Sequence, residues 1–367
     1  MSRTDLDYVW VEDDFPAVKT QLRDPATGEL VFTKRGMPVY MIAGGAPVDS
    51  DITEWIPIEY DSDVVMRIQQ MSAIEGLGYP VPMGSNAKEI PRSGGMDAHS
   101  GPTYVDDASE NDKITLHARK FTGRFSVDED DLADANTRMN VLQTKDMDWG
   151  TSYSGLIDNA ALGVSAAMNT TVDGTTHNMI APFRSIYYVL RNDPDSLPDY
   201  AADDNYLTWD GTTLNSSTAN NLYDKLSSAL GKLEQGDYWE QGTTVCIADP
   251  SFREKVRNLK DNNGNPIFVD NRNLDGGRTP DMLMGVPVYW TKGARVAAKN
   301  VSRPSGHALL FFVNRTLLKR GDRTPQETAF SPSRAQDDTD SSSVKYRVRK
   351  AFELGHPRGA VVLEALA

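Results

Sequence analysis

The residues able to do chemistry are few, and their spacing does not suit it. The chain has five histidines, His99, His117, His177, His307 and His356, and a single cysteine, Cys246. No histidine lies three or four residues from another or beside the cysteine, so zinc-ligand spacing is absent. Cys246 sits in the apolar run Thr243-Thr244-Val245-Cys246-Ile247-Ala248. That setting predicts a small core residue, because a reactive thiol needs a partly exposed, electropositive site. The sequence contains no Gly-x-x-x-x-Gly-Lys-[Ser/Thr], no Gly-x-Gly-x-x-Gly and no Gly-x-Ser-x-Gly. The acidic clusters Asp128–Asp131 and Asp337–Asp340 lack the glycine and closing glutamate of an EF-hand. The first reads as a helix start and the second as a solvated loop. These residues predict no metal, no cofactor and no catalytic group.

What remains is ion pairing between surfaces. Asp106, Asp107, Glu110 and Asp112 cluster in one Gly-, Ser- and Asp-rich stretch. Arg315, Lys319, Arg320 and Arg323 form one basic run, and Lys345, Arg347, Arg349 and Lys350 another. No aromatic platform is interleaved with them, as RNA binding would require. The net charge is −14, whereas a protein that reads DNA carries a basic face. The expected pairing sets the acidic stretch of one subunit against Arg320, Arg323, Arg347 and Arg349 of the next.

The 367 residues suffice for two or three packed units. No apolar run approaches the roughly 20 residues that cross a bilayer, so no membrane is expected. Met1-Ser2-Arg3-Thr4 begins nothing like a signal peptide. With one cysteine, the expectation is folding in a reducing cytoplasm.

The positioning elements follow from pattern. Residues 1 to 60 scatter their apolar side chains among turn signals. They read as an arm or a tail, and Trp10 and Phe15 favour an arm held by a neighbouring subunit, since disordered tails are poor in aromatics. Asp63 to Ile74 reads as a short helix ending at Gly76 and Gly78. Residues 84–124 read as a long two-stranded excursion, from Ala87–Pro91 out to a tip over Ser93–Asp112 and back along Lys113–Phe121. Ser126-Val127-Asp128-Glu129 has the form of a capping box. It predicts a long helix through Leu132, Met139, Trp149, Tyr153 and Leu156, weakened near Gly150 and Gly155. Helices over Ala219–Leu233 and Pro250–Lys260 alternate with a strand at Thr243–Ala248, which predicts an α/β layer. Strands are expected at Leu283–Tyr289, Leu309–Asn314, Val344–Arg349 and Ala360–Leu363, with a polar connection over Gly321–Ser343.

The passage Phe125–Leu132, the Pro250 helix with its Lys260–Gly264 turn, the Leu283–Tyr289 strand and the segment Arg349–Val362 occur in a fixed order. That order resembles the tailed-bacteriophage major capsid proteins of the Hong Kong ninety-seven fold, over residues 85 to 367. The resemblance implies an α+β fold with an N-terminal arm (1–60), the first part of a peripheral domain (61–83) and an extended β-hairpin loop (84–124). It continues with a spine helix (125–169), an axial α/β domain (170–330) and C-terminal strands of the peripheral domain (331–367). It implies a protein that assembles with itself, as pentamers and hexamers, into an icosahedral shell enclosing double-stranded DNA without reading its sequence. Its partners would be a portal, a separate scaffolding protein and a decoration protein, and its place the virion, after assembly in the host bacterial cytoplasm. Many relatives carry an N-terminal scaffolding region; this chain reaches the arm at once. Some relatives cross-link a loop-tip lysine, and here the tip from Ser93 to Asp112 has none. An encapsulin-like shell around protein cargo and a monomeric α/β enzyme remain open as alternatives.

Overall fold

The computed structural model describes residues 9–12, 19–23, 40–42, 71–96, 98–106, 111–128, 141–214, 221–260, 282–331 and 341–366. The chain separates into two compact units, Met1–Val64 and Val65–Ala367. In the first, strands β1 (Val9–Glu12), β2 (Lys19–Arg23) and β3 (Tyr40–Ile42) form an antiparallel sheet in that order. Trp10 stands opposite Leu22 in its register. Phe15 lies outside the described residues.

Among the described residues, the second unit holds a six-stranded sheet, a four-stranded sheet and two two-stranded ones. Its helices and strands begin with α1 (Ala73–Leu77), β4 (Tyr79–Pro82), β5 (Ala87–Arg92), β6 (Asp112–His117) and β7 (Arg119–Asp128). The spine helix α2 (Val141–Leu162) follows, then β8 (Asn169–Val172), β9 (Met179–Ala181), α3 (Ile186–Asn192) and β10 (Tyr206–Trp209). Next come α4 (Leu222–Glu234), β11 (Thr244–Ala248), α5 (Pro250–Arg257), β12 (Met282–Leu283) and β13 (Val286–Trp290). The chain closes with β14 (Ala308–Asn314), β15 (Leu318–Ser331), β16 (Ser341–Leu354) and β17 (Ala360–Ala365).

The six-stranded sheet runs β10-β17-β14-β11-β13-β12. Every residue of β11, β14 and β17 is buried, because helices cover both faces. Leu309, Phe311 and Val313 of β14 pack with the spine helix and α3; Ala308, Leu310 and Phe312 pack with α4 and α5. A strand buried on both faces is apolar throughout and not alternating, which is why Leu309–Val313 has no polar residue. Cys246 belongs to the second of these cores and is wholly buried. Burial pushes its thiol far above the ordinary range.

The second sheet runs β4-β15-β16-β7. Val344, Tyr346 and Val348 are buried on its helix side while Lys345 and Arg347 are exposed, the alternation a one-sided sheet requires. Trp149 of the spine helix stacks between Tyr153 and Tyr346, each 5.1 Å away.

Several expected elements are corrected. Met71 and Ser72 are not helical: Ser72 is the N-cap of α1, its Oγ accepting from the Glu75 N–H at 3.1 Å, and α1 passes through Gly76 to Leu77. Residues 63–70 lie outside the described ones. Ser126, Val127 and Asp128 are the last residues of β7, paired with Ser343, Ser342 and Ser341. Residues 129–140, where the expected helix would begin, lie outside the described ones. Val141–Leu162 is one unbroken helix; Gly155 serves a close approach, since a Cβ there would overlap the Ser302 carbonyl. The Leu283–Tyr289 strand is a tight hairpin, turning at Met284 (φ 50°) and Gly285 (φ 80°). The Pro250 helix stops at Arg257. Gly321–Ser331 is strand and not connection. β15 belongs to the four-stranded sheet and β17 to the six-stranded one.

Candidate functional site

Two surfaces carry the chemistry available here. The first is the hairpin of β5 and β6, paired from Ala87↔His117 to Arg92↔Asp112. Its root is anchored, with Ile114 and Leu116 buried and Leu116 packed on Val81, Met83 and Ala351. Arg92 ties it down further. This side chain reaches Asp112 across the hairpin, Asp195 at 3.4 Å and the Gly355 carbonyl at 3.3 Å. Asp112 is held below the usual carboxylate range by the Lys113 backbone N–H and by Arg92. Beyond the root, the described residues of the tip from Ser93 to Asp106 are exposed. Met96 is 79% exposed, Tyr104 102% and Val105 56%. Asp106 is exposed with them, and Asp107 and Glu110 lie outside the described residues.

The second surface is the outer face of β7 and β16. Antiparallel register sets Lys120 opposite Arg349, Thr122 opposite Arg347 and Arg124 opposite Lys345. Like charges face each other across the ladder twice, which costs stability in a sheet. Arg347 bonds Glu327 of β15. Beside this face, at the hairpin root, lies a concavity of about 260 Å³ bounded by Asn86, His117, Arg119, Lys120 and Arg349. It has no acidic lining. Burial, then the neighbouring Arg119 and Arg184, hold His117 below its ordinary value.

The structure therefore groups Arg347 with Arg349 and separates them from the other two expected cations. Arg320 bonds the Glu75 carbonyl and Asp322, the latter at 3.0 Å. Arg323 bonds the carbonyls of Met83, at 3.3 Å, and Gly84. Lys120 and Arg124 were not singled out from sequence, though Lys120-Phe121-Thr122-Gly123-Arg124-Phe125 alternates as a strand does. The sequence reading ends the returning strand at Phe121 and so leaves Arg124 outside it.

The interior holds a third polar group. Asp158 of the spine helix is 1% exposed. It accepts from Ser72 Oγ at 2.5 Å, the Ala73 and Ile74 N–H groups at 3.0 and 3.1 Å, and Thr291 Oγ at 2.6 Å. Burial pushes its carboxyl upward against these four bonds. It borders a cleft of about 740 Å³ that also takes in Asp249, Thr291 and Arg295. Asp249 caps α5 through the Ser251 N–H and pairs in bidentate fashion with Arg295 at 2.8 and 3.0 Å. Both carboxylates are thus committed to structure, and among the described residues no group of three or more metal-ligating side chains occurs.

The anchored hairpin with its exposed described tip residues and the charged sheet face are surfaces suited to contact with other copies or partners. Comparison with known proteins gives the class a name. The chain belongs to the phage capsid family, whose model matches residues 55–305. It is a structural protein, a major capsid protein of the tailed-phage shell. Among solved structures, a chain of Mycobacterium phage Bobi is 18% identical with a TM-score of 0.57, covering 88% of this chain and 99% of its own. One of Gordonia phage Cozz is 13% identical with a TM-score of 0.60, over 89% and 97%. The capsid of a native GTA particle is 10% identical with a TM-score of 0.59, over 89% and 100%. These likenesses show the fold, and it is of the Hong Kong ninety-seven kind. No curated protein matches the sequence.

Proposed function

We propose that copies of this chain assemble as pentamers and hexamers into a closed icosahedral shell around double-stranded DNA. The six-stranded sheet is its axial part. The spine helix with the four-stranded sheet is its peripheral part, residues 84–124 its extended loop and residues 1–60 its arm. The loop reaches a neighbouring subunit, where Asp106, Asp107, Glu110 and Asp112 meet a basic surface that includes Arg347 and Arg349. Trp10 and Phe15 of the arm contact a neighbour as well. A separate scaffolding protein, a portal and a decoration protein complete the assembly, which takes place in the bacterial cytoplasm. The observation that carries this reading is the tip: a wholly exposed Tyr104 beside exposed Met96 and Val105 is apolar surface that a partner must cover.

Purified particles test it through their contents. The reading expects nuclease-protected duplex DNA inside shells of this chain. Particles filled with protein and free of DNA would overturn it in favour of a protein compartment.

A further inference from the structure

We propose that the concavity at the hairpin root, bounded by Asn86, His117, Arg119, Lys120 and Arg349, is a binding site for a small oxyanion of the phosphate class. Such a site is additional to the shell reading and independent of it.

The wall of the concavity carries cations and no carboxylate. Antiparallel register sets Arg349 directly opposite Lys120, and like charges so placed destabilise a sheet. Among the described residues neither has an ion-pair partner. Arg119 reaches the Pro182 carbonyl at 3.4 Å and Met168 Sδ at 3.8 Å, and no acid. Elsewhere on β16 the chain neutralises its own cations. Arg347 pairs with Glu327, and Lys350 with Asp322 at 2.8 Å and Glu75 at 3.4 Å. Asp195 and Glu353 line a separate cavity of about 130 Å³ that His117 also borders, and Asp195 is already paired with Arg92 and Arg184. In a chain of net charge −14, a wall of uncompensated cations runs against the average. An anion between them removes their repulsion.

The donors choose the class of anion. Arg119 and Arg349 bring planar guanidinium forks, which match the oxygens of a phosphoryl group in bidentate fashion. Lys120 adds an ammonium, and Asn86 and His117 add neutral donors. A phosphate monoester carries roughly two negative charges and three acceptor oxygens, whereas a carboxylate carries one charge and would leave part of the wall unmatched. The concavity of about 260 Å³ holds such an anion with several waters, each about 30 Å³ in the liquid. Burial, then Arg119 and Arg184, disfavour the charged form of His117, and a bound anion would oppose the two arginines. Asn86 and His117 stand at the hairpin root, while Arg119, Lys120 and Arg349 belong to the sheet. A bound anion therefore joins the two.

Equilibrium dialysis of the full chain against orthophosphate, at ionic strength fixed with chloride, tests the site. Wild type should bind one phosphate per chain, and its melting temperature should rise with phosphate to a plateau. Lys120→Gln with Arg349→Gln should weaken binding by roughly tenfold or more, since each lost bond is charge-assisted. Without phosphate this variant should melt no lower than wild type, because a like-charge pair has gone. Phosphate acting no differently from chloride on wild type overturns the proposal without recourse to any variant. Undiminished binding by the folded double variant overturns it as well. Duplex DNA without terminal phosphates separates the two sources of a phosphoryl group. If orthophosphate displaces it, or if it does not bind, the site is for the small anion. DNA held through Lys120 and Arg349 that orthophosphate does not displace would overturn the assignment in favour of a backbone contact.

Discussion

Gly123 of β7 lies directly against the indole of Trp149, so closely that a Cβ at residue 123 would overlap the ring. The spine helix can rest on the four-stranded sheet only because that residue has no side chain. Gly123→Ala should cost about 1–3 kcal/mol through overpacking. Combined with Trp149→Ala, its cost should largely vanish, because the clash is gone. Denaturant unfolding of the two single variants and the double variant measures this. Strict additivity would show that the two residues do not interact.

Asp158 joins the spine helix, the start of α1 and the loop after β13 through four hydrogen bonds. Asp158→Ala strands two hydroxyls and two backbone N–H groups in the interior. Each unsatisfied group costs roughly 1–3 kcal/mol, so the variant should express as aggregate or melt far below wild type. Asp158→Asn keeps part of the acceptor set and should lose less.

Glu353 of β16 is buried, and burial raises its carboxyl to about 8, against the opposing pull of Arg184. The folded state thus holds this proton more tightly than the unfolded chain does. Its contribution to stability is full below the unfolded value near 4.5 and is lost as pH rises through about 8. Glu353→Gln should flatten that slope and be the more stable protein above pH 8. Melting temperatures of both proteins between pH 5 and 9, a window of about two units either side of neutrality, give the comparison. Parallel profiles would contradict it.

The particles should contain no covalent cross-link. No lysine lies between Ser93 and Asp112. Of the flanking pair, Lys88 bonds the Pro82 carbonyl at 2.8 Å and Lys113 pairs with Glu89 at 2.9 Å. A boiled denaturing gel of mature particles should show one band at the monomer mass, and a ladder of larger species would refute this.

The sequence is most legible where an element's burial matches its own pattern. The leucines of α4, spaced as a helix demands, pack inward as expected. The uninterrupted apolar run of β14 marks a strand covered on both faces. Legibility fails where long-range pairing decides. β15 is mostly exposed or half-buried beyond Gly321, so it has no apolar alternation to betray a strand and exists because β16 pairs with it. Ser126–Asp128, read as a helix start from the sequence, pair with Ser341–Ser343 of β16. The cations of the charged sheet face were visible one at a time. Their opposition across β7 and β16 depends on a register between residues more than 200 positions apart, which no local pattern encodes.

The central claim is that this chain acts by closing into a shell through its projecting loop. Cryo-imaging of the chain after assembly tests it most directly. The expected image is a closed particle in which every subunit shows the spine helix on the four-stranded sheet and lays its β5–β6 hairpin across a neighbour. A stable 40.5 kDa monomer that forms no particle with or without a scaffolding protein, its hairpin ordered in isolation, would contradict it.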